Sequence, residues 1–203
     1  MIQPERVNAN NGAFGYCSNI YGGVFWGQNF GYSWTPTNPR DWAPNQYKGE
    51  CPWNQPVTGL SKFPTGNQQA HSIMCGQGPI AGNAFPPNAS CHLVPFNGLN
   101  GVNGNNPANI SDWDFGFNKA ECSQNEFVAG ISQSTSGRTD GLLCCPSTLH
   151  FGCTTQPLDS TNISVDWDWG YFKAECAQGA YLSGVSVGAS SPWAPHAIHC
   201  CTP

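Results

Sequence analysis

The sequence predicts an all-β, disulfide-rich single domain assembled from three imperfect repeats about a pseudo-threefold axis. Three observations carry that expectation. An Asp-Trp…Lys-x-Glu-Cys frame occurs three times: Asp41-Trp42…Lys48-Gly49-Glu50-Cys51, Asp112-Trp113…Lys119-Ala120-Glu121-Cys122 and Asp166-Trp167…Lys173-Ala174-Glu175-Cys176, with Asp and Cys ten residues apart each time. A long internal period decides architecture before local propensity does, because one short unit cannot bury its own apolar face. Second, 24 Gly and 17 Pro punctuate almost every window, so no stretch sustains helical apolar spacing. Third, 11 of the 203 residues are cysteine, at recurring places in the frame.

The elements follow in order. Residues 1–40 hold Cys17 and an aromatic segment with Tyr21, Phe25, Trp26, Phe30, Tyr32 and Trp34. Copy one begins at Asp41, and its frame leads into Val57-Thr58-Gly59-Leu60-Ser61 and then Ile73-Met74-Cys75. A Gly/Pro/Asn-rich connector with Cys91 precedes copy two, which continues through Val128-Ala129-Gly130-Ile131-Ser132 to Leu142-Leu143-Cys144-Cys145. Copy three runs through Leu182-Ser183-Gly184-Val185-Ser186 to Ala197-Ile198-His199-Cys200-Cys201. Phe172-Lys173-Ala174-Glu175-Cys176 alternates as a half-buried strand does, and Tyr181–Val187 is β-prone. A Gly inside a strand pattern marks a bulge or a close backbone approach. Each copy is expected to give three or four short antiparallel strands. The repeats span about 17–75, 91–145 and 153–203 of one domain, 1–203.

The cysteine register suggests a framework. Cys51, Cys122 and Cys176 open the pattern and Cys75, Cys144 and Cys200 close it 22 to 24 residues later, so the simplest expectation is three equivalent pairs. Cys145 and Cys201 follow the closing cysteines of copies two and three, where copy one has Gly76. Pairing each with the leading cysteine of the next copy would join Cys145 to Cys153 and Cys201 to Cys17, and would leave Cys91 as the free thiol.

Composition excludes several classes. Charged residues are 9% of the chain against roughly 25% in ordinary domains, and the net charge is −5. With 7 Lys plus Arg, nucleic acid is not an expected partner. No apolar run approaches the ~18 residues of a membrane span. Heavy cysteine usage points to an oxidising compartment, and the Asn-x-Ser sequons at Asn88, Asn109 and Asn162 suit a secreted glycoprotein. The chain reads as a mature secreted form behind a start Met.

The repeated Lys-x-Glu puts two side chains on one face of a strand, a scaffold role that every copy needs. The alternative, Glu as general acid or base, lacks a second carboxylate at a defined spacing. Asp112-Trp113-Asp114-Phe115-Gly116 and Asp166-Trp167-Asp168-Trp169-Gly170 contain a fragment of calcium-loop chemistry, so Asp112, Asp114, Asp166 and Asp168 are candidate cation ligands. Glu121 and Glu175 fall at the wrong spacing for an EF-hand. An Asp-driven turn with Trp pinning it to the core is the simpler reading, and no cofactor is expected. Aromatic rings beside Asp and Asn suit sugar stacking, which makes Trp113, Asp114, Trp167, Asp168 and Trp169 the candidate ligand-binding residues. Core filling is the competing use of the same rings. Neither Gly-x-Ser-x-Gly nor His-Glu-x-x-His is present, and no enzymatic activity is expected.

An acidic/aromatic turn, a Lys-x-Glu strand, an apolar strand with Gly and a strand ending in cysteine, over 41–75, 112–145 and 166–201, resembles the vitelline membrane outer layer protein I family. The resemblance covers about half the chain. It implies a β-prism of three antiparallel sheets, with Met74-Cys75, Leu143-Cys144 and His199-Cys200 ending the third strands. It also implies an extracellular, carbohydrate-binding role. The order of elements departs from that family's, since Lys-x-Glu here precedes the Gly-x-Ser strand. A β-trefoil is the alternative threefold architecture.

The functional expectation is a secreted, non-catalytic, lectin-like binder of a glycan or other extracellular polymer. A self-assembling coat or matrix protein and a secreted toxin or hydrolase are the alternatives. The copies disagree at Asp114 and Asp168 against Ala43, so a site built on the frame should occur twice, not three times.

Overall fold

The computed structural model describes residues 42–43, 46–51, 55–66, 68–76, 91–96, 112–147, 151–158, 168, 170–188 and 194–203, together with the backbone of strands at 7–8, 14–20, 23–29 and 31–32. These residues form an all-β, antiparallel structure. The strands are β1 (Val7–Asn8), β2 (Phe14–Ile20), β3 (Gly23–Asn29), β4 (Gly31–Tyr32), β5 (Tyr47–Glu50), β6 (Val57–Lys62), β7 (Ala70–Cys75) and β8 (His92–Pro95). The chain continues with β9 (Asn118–Glu121), β10 (Glu126–Gln133), β11 (Thr139–Pro146), β12 (Phe151–Pro157), β13 (Phe172–Glu175), β14 (Tyr181–Val187) and β15 (Pro195–Thr202).

Three sheets contain them, ordered β1-β2-β3-β7-β6-β13, β4-β5-β10-β11-β8 and β12-β15-β14-β9. Each has the same kernel: a leading strand, the closing strand, the Gly-x-Ser strand and a Lys-x-Glu strand. The Lys-x-Glu strand always comes from another copy. β5 of copy one pairs with β10 of copy two, β9 of copy two with β14 of copy three, and β13 of copy three with β6 of copy one. The copies therefore exchange strands cyclically, and the last exchange joins copy three back to copy one. Three sheets on one core are compatible with the prism-like expectation.

The Gly-x-Ser strands β6, β10 and β14 approach one another across the sheets. Leu60, Ile131 and Val185 meet there fully buried, with Val57, Val128 and Leu182 beside them and Ile73, Leu142 and Ile198 from the closing strands. Each such side chain contributes about 1.5–3 kcal/mol relative to exposure. Gly59, Gly130 and Gly184 each sit at a register shift in the pairing with the closing strand, as a Gly inside a strand pattern suggests.

Cys51–Cys75, Cys122–Cys144 and Cys176–Cys200 form as the register suggests. Strand exchange gives them a further meaning. Cys51 follows β5 in the second sheet whereas Cys75 ends β7 in the first, and the equivalent bonds join the third sheet to the second and the first to the third. The three bonds thus link the three sheets in a ring inside the core.

The second set differs from the sequence expectation. Cys91 bonds Cys145 and Cys153 bonds Cys201, so Cys91 is not a free thiol, and neither Cys145–Cys153 nor Cys201–Cys17 forms. The reason is strand pairing. A leading strand lies antiparallel to the closing strand of its own copy, and the registers His92↔Cys144 and Thr154↔Cys200 place Cys91 opposite Cys145 and Cys153 opposite Cys201. Cys145 and Cys153 lie on strands of different sheets. In copy one Trp26 pairs with Cys75, so the corresponding position holds Phe25 against Gly76. The side chain of Cys17 lies outside the described residues, as do Asn88, Asn109 and Asn162.

Candidate functional site

The frame builds a stapled loop at each place where one copy hands its strand to the next. In copy two, Asp112 Oδ1 accepts the Asp114 N–H at 3.0 Å, the Asp-driven turn expected from sequence. Lys119 Nζ meets Asp112 at 2.8 Å and donates to the carbonyls of Asp114 and Phe117 at 2.6 and 2.7 Å. Gly116 turns the chain at φ +87°. All three frame lysines donate to the same loop carbonyl, that of Ala43, Asp114 or Asp168. In copies one and two the glutamates hold the tryptophans: Trp42 Nε1–H donates to Glu50 at 2.9 Å and Trp113 Nε1–H to Glu121 at 3.1 Å. Lys-x-Glu is thus a loop-and-indole clamp.

Burial raises the Glu121 carboxyl above its ordinary value of 4.5; the Trp113 bond opposes the rise, Asp112 adds to it, and Lys119 also opposes it. With the folded value above the unfolded one, this group's contribution to stability is fully present below about 4.5 and is lost as pH rises through the folded value. Glu121→Gln keeps an acceptor for Trp113 without the buried charge. It is therefore expected to raise the denaturation midpoint relative to wild type at about pH 7, with the gap closing near pH 4. A gap that widens on acidification would contradict this account.

Above each clamp lies a corner made by two copies. At one, Asp168 Oδ2 accepts from the Ser61 hydroxyl and from His71 Nδ1 (3.0 Å), although Ser61 is 107 residues away in sequence. The His71 ring stacks on Tyr171 at 3.7 Å and 2°. At a second, Asp114 Oδ2 accepts from Ser186 and from His196 Nδ1 (2.9 Å), and His196 stacks on Phe117 at 3.5 Å and 6°. The serines are fully buried and also accept backbone N–H groups, of Ser72 and Ala197, both at 3.0 Å. A nucleophilic triad places imidazole between hydroxyl and carboxylate. Here the carboxylate is central, and the group acts as a latch across the copy boundary.

The third corner has the same backbone and different side chains. Ala43 replaces the latch aspartate, Gln46 the stacking aromatic and Asp140 the histidine; the serine remains as Ser132. Asp140 Oδ1 instead pairs with Arg138 Nη2 at 2.6 Å and Nε at 3.1 Å. With no latch to fill it, this corner is a pocket of about 330 Å³ that also draws on Leu93, Pro95 and Phe96. The two latched corners are those whose frames carry the second Asp.

Among the sequence candidates, Trp113 is half-buried, its indole N–H given to Glu121 and its ring stacked on His199 at 4.6 Å. Asp114 and Asp168 are engaged in the latches and Asp112 with Lys119. Trp167, Trp169 and Asp166 lie outside the described residues. Cys153, His199 and Cys201 cluster as cation ligands would, but the two sulfurs are bonded to each other. The exposed ring of the copy-two loop is its neighbour Phe115, 67% exposed. Sequence reasoning missed the histidines, although His71, Asp140 and His196 all stand four residues before a closing cysteine. No family model, curated protein or solved structure matches this chain.

Proposed function

We propose that the protein is a secreted, non-catalytic carbohydrate-binding protein that recognises an extracellular glycan through aromatic rings at the tips of its stapled loops. The observation that carries this reading is Phe115. Phe115 is 67% exposed and offers a flat apolar face of the kind that stacks on a sugar ring. It sits on a loop held by an Asp turn, by Lys119 and by Gly116, so little conformational entropy remains to be lost when a sugar ring stacks on it. Trp169 holds the same place in copy three by sequence, which provides a second ring. Five disulfides suit an oxidising, extracellular setting, and among the described residues no helix is long and apolar enough to cross a membrane.

The test is a glycan array followed by titration of the best polysaccharide. Phe115→Ala is expected to weaken binding by about tenfold or more and leave the melting temperature within a degree or two, because the ring contributes little to the core. Trp169→Ala should add to the loss. Absence of binding across the array, or full binding by the double variant, would remove this reading.

A further inference from the structure

We propose that the third corner, between copies one and two, is a separate pocket that takes a single neutral sugar ring. It shares only the ligand class with the reading above and uses neither Phe115 nor the latches. The sister corners show what the fold places in this space: two stacked rings, one bearing a nitrogen hydrogen-bonded to a carboxylate. In the third corner both rings are gone and a carboxylate has moved onto the closing strand as Asp140. What remains is ring-sized space lined by hydroxyl-binding groups.

Those groups have capacity to spare. Among the described residues, Gln46 Oε1 is buried without a hydrogen-bond partner. Ser132 Oγ has lost the carboxylate its counterparts bond and keeps a 3.4 Å contact to the Gly141 carbonyl. Asp140 spends one oxygen on Arg138, so its carboxylate can accept a hydroxyl on the other. Leu93 and Phe96 supply apolar surface for the C–H face of a sugar. The Arg138–Asp140 pair makes the pocket electrically balanced, which favours a neutral ring over a uronate or an amine. A volume of about 330 Å³ lies at the small end for ligand sites and suits one ring rather than a chain.

The experiment is a backbone-amide NMR titration of the full oxidised chain with glucose, galactose, mannose and N-acetylglucosamine in turn. At least one is expected to shift Ala43, Gln46, Ser132 and Asp140 saturably. Converting the corner to the latched type with A43D, Q46F and D140H together should weaken that binding by about tenfold or more, and Phe115→Ala should leave it unchanged. If the triple variant does not fold, Asp140→Asn tests the same contact and should also weaken binding. The proposal is overturned if none of the four sugars shifts these amides, if the closed corner binds as wild type does, or if glucuronate binds more tightly than any neutral sugar. Polysaccharide binding by wild type, with no amide shift in this corner from any of the four sugars, sinks the pocket alone. Pocket binding that survives while Phe115→Ala has no effect on polysaccharide sinks the loop reading alone.

Discussion

Replacing Cys176 and Cys200 together by alanine is expected to lower stability by about 3.5 kcal/mol, from the chain entropy of closing a loop with the separation of 24 residues. This bond joins the first sheet to the third, at the copy boundary where β13 returns to pair with β6. Both sulfurs lie in the common core, so the variant also loses buried contacts and the measured cost should not fall below the entropic figure. Equilibrium denaturation of wild type and variant under oxidising conditions checks it. A cost under about 1 kcal/mol would show that strand exchange alone holds the ring closed. Reducing all three core bonds removes about 10 kcal/mol on the same reasoning, comparable with the whole stability of a domain, so strong reductant should unfold the protein.

Gly130→Val is expected to be comparably damaging without touching a disulfide. A Cβ at Gly130 would lie 2.9 Å from the Gly49 carbonyl oxygen and 3.1 Å from Trp42 Cζ2. The first is backbone of the strand received from copy one, in register with Ile131, and the second belongs to the indole clamped by Glu50. The carbonyl cannot retreat without loosening the β5–β10 pairing, and the indole cannot without straining its bond to Glu50. A loss of about 2–3 kcal/mol or more is expected, at the upper end for overpacking, with Gly130→Ala intermediate. Gly184 meets the Ala120 carbonyl oxygen at 3.0 Å and should behave alike. Unchanged stability in Gly130→Val would mean that β5 can slide away from β10.

Much of the fold was legible because the repeat carries information that a single strand does not. The three frame-to-closing disulfides, the strand texture and the bulged glycines followed from residues recurring at fixed spacing. The same logic separated scaffold from difference: Lys48, Lys119 and Lys173 do one job in every copy, and the latch is present or absent with Asp114 and Asp168 against Ala43. Trp113 shows the limit. Its flanking acids suggest a sugar platform, but Glu121, eight residues on, takes its N–H and His199 stacks on its ring. The latch histidines were visible only by counting back from the closing cysteine, since a lone histidine on a strand carries no pattern of its own.

By itself the sequence determined the all-β class, the threefold repetition and three of the five described disulfides. Only the tertiary structure decided which copy's strand each sheet receives, where Cys91 and Cys153 bond, and that Ser61, His71 and Asp168 meet. The physical reason is degeneracy. Three copies of similar pattern offer each strand equivalent partners with the same alternation and hydrogen-bonding edge, so local chemistry cannot choose between its own copy and the next. The choice is made by burying one shared core among three sheets, and it brings residues more than a hundred positions apart into a single corner.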